Sequence, residues 1–189
     1  MFCYPAFYKS IIPVILRGIG QGIIGLIVSI GIRDKILNTQ TATWLTIITS
    51  VAAVAGNFTY LLIERRINHR KIMIVFGTIS GMLFPFMTVG KSLIILYALY
   101  FLGYLSITVI GLAHPVLVYE VVPYKMMGRY TAWRLLFMTL GQAIPGFFVG
   151  AIYGVVGSVG IMATGGICSL ISSVWLGLIL KTNKGKVKI

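Results

Sequence analysis

Six long apolar runs dominate this chain, at residues 11–32, 43–63, 72–90, 93–119, 131–154 and 157–180. Each approaches or exceeds the ~20 residues a helix needs to cross a hydrocarbon core of about 30 Å. In lipid, backbone N–H and C=O groups must be satisfied internally, and the alternating pattern of a membrane barrel is absent from the sequence. The runs therefore predict helices. Hydrophobic residues make up 58% of the chain and charged residues only 10%, against roughly a quarter charged in soluble domains. The expected fold is all-α and integral to the membrane: a single bundle of six transmembrane helices over 1–189, ending in a basic tail at 181–189.

Charge placement predicts the orientation. Four basic residues lie in "ERRINHRK" (64–71), two in "EVVPYKMMGR" (120–129) and four in "KTNKGKVKI" (181–189); with Lys9 they make eleven on one side. The other side has Arg33, Lys35 and Lys91, while Arg17 and Arg134 fall inside helix ends. Lys and Arg concentrate on the cytoplasmic side during insertion, so both termini are expected inside, with the cell membrane as the site. The net charge of +13 follows from topology and contact with anionic lipid, without a nucleic-acid partner.

"RGIGQGIIGLI" (17–27) contains a G-x-G-x-x-G spacing, but the dinucleotide mechanism needs a preceding strand and an acid about 20 residues on. Here apolar sequence flanks the glycines, and the acid at a comparable distance, Asp34, sits between Arg33 and Lys35. The glycines are read as packing. Between helices in lipid, association depends on close backbone approach at small residues. Gly18 and Gly22 share a face, Gly146, Gly150 and Gly154 form a longer ladder, and Gly77 and Gly81 a short one.

Catalysis finds no support. His69 and His114 are far apart, with no H-E-x-x-H, so no metal site is expected. G-x-S-x-G is missing, and a single Asp cannot form an intramembrane aspartate pair. Cys3 and Cys168 make no disulfide framework. No soluble nucleotide-hydrolysing domain fits in the loops, and no cofactor is implied. The residues left over are polar ones in apolar helices. Tyr97, Tyr100, Tyr104 and His114 share a helical face. His114 reads either as a histidine hydrogen-bonded to a neighbouring helix or as a proton-coupling group. Gln21 and Asn57 are further cavity candidates, and Pro115 and Pro145 are expected to kink their helices.

"YEVVPYKMMGRYTAWR" (119–134) resembles the stretch after the fourth helix of a half in the major facilitator superfamily, with Glu120, Pro123, Gly128 and Arg129 matching and Met127 where an additional Arg is common. "ERRINHRK" resembles the basic loop after the second helix of such a half. Here Asn68 stands where Gly is expected and the leading Gly is missing. Either Arg65 replaces the usual Asp, or Glu64 supplies the acid with one residue inserted. The resemblance implies a secondary transporter, or one six-helix half of one (the C-terminal half by its degraded loop and basic tail), moving a small solute by alternating access. It implies that helices 1 and 4 line the cavity, 2 and 5 meet a second six-helix half from the same or another chain, and 3 and 6 face lipid. Glu120, Arg129, Glu64, Arg65, Arg66 and Arg70 would then gate the cytoplasmic side. The alternative is a six-helix substrate-capture subunit served by separate ATPase partners; a non-transporting membrane protein is a third reading.

Overall fold

The computed structural model describes residues 5–33, 37–87, 92–119 and 124–179, with side chains from residue 10 onward. Among them there is no strand. The order is α1 (Pro5–Gly25), α2 (Ile27–Arg33), α3 (Thr39–Ile63), α4 (His69–Phe86), α5 (Leu93–Tyr119), a 3-10 turn (Tyr124–Met126) and α6 (Met127–Ile179). Four helical segments are long and apolar enough to cross a membrane: Ser10–Arg33, Thr39–Ile63, Leu93–Tyr119 and Tyr124–Ile179. Glu120, Pro123, Asp34 and the 181–189 tail lie outside the described residues.

Local chemistry sets the element ends. The described part of α1 runs from Pro5, six residues before the apolar run. One turn residue separates α1 from α2 within the first span, Leu26, whose N–H donates three residues back to Ile23 C=O. Asn38 and Thr41 open α3 with a reciprocal capping box, each side chain accepting from the other's backbone N–H at 2.8 Å. Asn68, which departs from the family loop, is the N-cap of α4, its Oδ1 accepting from Arg70 N–H at 2.9 Å. Asn68→Ala should therefore lower bundle stability by about 1 kcal/mol, measured by thermal unfolding in detergent. Asn68→Asp should keep most of the cap; equal losses in both variants would count against it.

At 1.5 Å per residue, the 53 residues of α6 would extend about 80 Å, far beyond a bilayer. The helix is interrupted at Gly157, whose φ of 67° and ψ of 179° lie in a region open in practice only to glycine. Residues 127–156 and 158–179 form two arms. The first runs parallel to α1: Ser10, Ile11 and Val14 meet Tyr130, Arg134 and Phe137, and Gly18 meets Met138 and Gly141. The second runs antiparallel to α1: Pro13 C=O accepts from Ser172 Oγ at 2.7 Å, and Gly20 meets Gly165 and Ser169. The chain thus folds back at Gly157, and the runs 131–154 and 157–180 belong to its two arms.

The remaining seams complete the bundle. Gly56 on α3 abuts Leu105 and Thr108 on the parallel α5, Gly103 on α5 takes Phe84 of α4 and its C-cap Met87, and Gly81 on α4 faces Gly166 and Leu170 of the second arm. This neighbour order is unchanged when the first three segments (α1–α2, α3, α4) are exchanged with the last three (α5, first arm, second arm). The core forms two clusters, one around Met73, Val109, Ala113 and Leu117, the other around Ile24, Leu45, Phe84 and Met162.

Glycine placement differs in part from the sequence expectation. Gly18 and Gly22 are packed, their Cα positions set against backbone of the first arm. Gly146, Gly150 and Gly154 are not: a Cβ at any of them would meet nothing within 4 Å. Gly77 lies against Ser173 instead of facing lipid, because the face of α4 that carries it is wedged against the second arm. Spacing identifies a smooth stripe but not which neighbour, if any, lies on it.

Candidate functional site

The most expensive side chain in the bundle is Arg17. A charge within a membrane-spanning segment is costly wherever it lies, and such residues usually face protein or a water-filled cavity. Arg17 lies seven residues inside the span that begins at Ser10, about 10 Å along the axis. It is only 4% exposed. Its NH1 stands 3.3 Å from Nδ1 of His114 on α5, and His114 is itself 1% exposed. The two residues bridge the helices that begin the two three-segment units.

Hydrogen-bond chemistry assigns the histidine tautomer. A guanidinium has donors and no acceptor, so His114 Nδ1 accepts and the ring proton sits on Nε2. That Nε2–H is buried without a partner among the described residues. Burying a donor unpaired costs on the order of 1–3 kcal/mol. Arg134, half-buried on the first arm, is near enough to act electrostatically on both Arg17 and His114. With Ser10, Val14 and Tyr130 it lines a small recess, one turn along α1 from Arg17. One turn the other way is Gln21, whose Oε1 accepts from Gln142 Nε2 at 3.0 Å. A polar seam thus runs between α1 and the first arm through an apolar bundle.

The sequence candidates fall into three groups. Tyr100 and His114 are buried within the bundle, and Tyr104 and Gln21 are half-buried. Tyr100 is within 3.4 Å of Thr49 Oγ1, and its ring lies 4.8 Å from that of Tyr104. Asn57 is exposed on the outer face of α3. That face is divided, with Thr43, Thr46, Ser50 and Asn57 along one stripe and Trp44, Val51, Phe58 and Leu62 along the next. The hydroxyls of Thr43, Thr46 and Ser50 return to carbonyls of their own helix.

The gating candidates are partly placed. Arg65 and Arg66 are exposed and Glu64 half-buried, the last as the C-cap of α3 with its N–H on Tyr60 C=O. Arg70 donates from Nε to Gly177 C=O, fastening the start of α4 to the second arm. Gly128 and Arg129 are exposed at the start of α6. Among the described residues no hydrogen bond or ion pair joins Arg129 to Glu64, Arg65 or Arg66. Nor do any three described His, Cys, Asp or Glu residues come together as metal ligands.

Sequence reasoning missed Arg17, Arg134 and Gln142. Arg17 was legible: taking the first helix to begin at residue 11 put it near an end, whereas a start at Pro5 puts it well inside. No protein-family model matches the chain, and no curated protein or solved structure matches it. The class is therefore defined by the structure alone: an all-helical protein with helices suited to crossing a membrane, holding a buried Arg–His pair.

Proposed function

We propose that the chain is one six-helix half of a secondary transporter of the major-facilitator type, moving a small solute by alternating access with a second such half. The observation that carries this reading is the exchange symmetry of the neighbour order. Transporters of this kind are built from three-helix units repeated in inverted topology, with substrate at the interface near the bilayer midplane. In this bundle α1 and α5 occupy equivalent places and run in opposite directions, as do α3 and the first arm. The polar stripe of α3 and the open glycines of the first arm supply the faces for the second half. Both termini and the loops at 64–71 and 120–129 are cytoplasmic in this reading, which agrees with the eleven-to-three distribution of basic residues. Glu120 and Arg129 would act with the 64–71 loop to hold one access state.

Cysteine accessibility in oriented vesicles, on a background lacking Cys3 and Cys168, tests this reading. Gln21→Cys should react with membrane-impermeant reagents from either side, because alternating access wets the cavity face in turn. Arg66→Cys should react only from the cytoplasmic side, and Phe58→Cys from neither. If Gln21→Cys were labelled from one side only or not at all, alternating access would be ruled out. Co-purification of ATPase subunits in place of a second six-helix half would favour the substrate-capture alternative.

A further inference from the structure

We propose that Arg17 and His114 form a binding site for an oxyanion, a carboxylate or phosphate group carried on the transported solute. That the solute is transported rests on the transporter reading; the site itself follows from its own chemistry. Every polar atom the pair has left to offer is a donor. Arg17 has no acceptor, His114 Nδ1 is already taken by Arg17, and the unpartnered Nε2 carries the proton. Arg134 adds a second cation nearby. A donor-only, positively charged site repels cations and leaves neutral donors unsatisfied. An oxyanion matches it, and guanidinium presents the planar fork that carboxylate and phosphate geometry fits.

Internal counter-ions are scarce. The chain contains three acids in all, Asp34, Glu64 and Glu120. Glu64, at the end of α3, makes no ion pair with Arg17 among the described residues. The helical path from Arg17 to Arg33, the residue before Asp34, is about 24 Å. Glu120, six residues past His114 in sequence, is the one internal competitor, and the experiment addresses it directly. Arg17 is buried in this state, and a Cβ at Gly111 would lie in contact with its NH2 at 3.9 Å, so the shortest way to the guanidinium is through the half-buried face of α5 that carries Tyr104, Gly111 and Pro115.

The test is thermal unfolding of the purified full chain in uncharged detergent, titrated with acetate or inorganic phosphate against chloride at constant ionic strength. Wild type should show a saturable rise in Tm, about 5–10 °C at a hundredfold excess over half-saturation, by the linkage of binding to stability. The half-saturating concentrations of the two probes tell carboxylate from phosphate. Arg17→Gln should abolish the rise. Gly111→Leu, which leaves Arg17, His114 and Arg134 in place and covers the approach, should weaken it at least tenfold in half-saturating concentration. Arg65→Gln with Arg66→Gln should leave it unchanged. A rise that persists in Arg17→Gln or disappears with the loop arginines would place anion binding on the exposed basic surface and overturn the site. So would no rise in wild type with a rise gained in Glu120→Gln, which would make Glu120 the resident counter-ion. An unresponsive wild type and Glu120→Gln would overturn it as well. Because binding is read without transport, the two proposals fail separately: an anion site with a one-sided Gln21→Cys removes the transporter and keeps the site.

Discussion

Leucine at Gly18 or at Gly141 is expected to lower the stability of the bundle by about 3 kcal/mol, while leucine at Gly150 changes it by less than about 0.5 kcal/mol. The difference lies in what each Cα faces. A Cβ on Gly18 would run into the carbonyl of Met138 and the Cα of Gly141; one on Gly141 would run into Ile15 and Gly18. These neighbours are backbone, which cannot rotate aside as the tip of a side chain can, so the two helices must separate. Their separation opens the seam that carries Arg17 and Gln21. Gly77→Leu should fall between the extremes, since the contact there is the side chain of Ser173, free to move at the expense of local packing. Gly150 meets nothing within this chain. Its leucine variant should leave the purified half intact and, if the first arm meets a second half, weaken that association. Unfolding in mixed detergent measures the first effect, and cross-linking of assembled halves the second. Equal stability losses at Gly141 and Gly150 would remove the seam between α1 and the first arm.

The membrane class was legible because hydropathy over twenty residues is a property of the sequence alone. The six apolar runs map onto the six described α-helices, the first onto α1 and α2 and the last two onto the arms of α6, and the break falls at Gly157, where two runs meet without a polar loop between them. Which glycine faced which helix was not legible. Gly18 and Gly150 have the same spacing signature, and only tertiary placement gives the first a neighbour and leaves the second open. The site was half legible. His114 stood out as a polar residue in an apolar helix. Arg17 carries the larger desolvation cost but reads as a helix-end residue, since Lys9 and Ser10 end the apolar run while the helix extends back at least to Pro5. Asn68 read as a degraded motif position, although an asparagine before a basic, helix-forming stretch is also the signature of an N-cap.

Arg17→Met is expected to stabilise the purified chain in the absence of anions, and His114→Leu to destabilise it. Methionine keeps an unbranched apolar stem of similar length and removes a buried charge. Replacing buried ionic groups by apolar residues of similar volume is often neutral or stabilising by about 1–4 kcal/mol. The same substitution removes the cation to which an oxyanion would bind, so the gain in stability should come with loss of anion-dependent stabilisation. His114→Leu acts in the other direction. It takes away the acceptor on Arg17 while leaving the guanidinium in place, and a buried donor stripped of its partner costs on the order of 1–3 kcal/mol. Once Arg17 is methionine, that cost has no origin. Arg17→Met also strips His114 Nδ1 of its partner, so leucine at 114 then removes an unpaired polar group; the double variant should therefore be at least as stable as Arg17→Met alone, a coupling of the size seen between residues in direct contact. Additive effects of the two substitutions would mean that the 3.3 Å contact between NH1 and Nδ1 carries no energy, and that Arg17 is held by something other than the histidine.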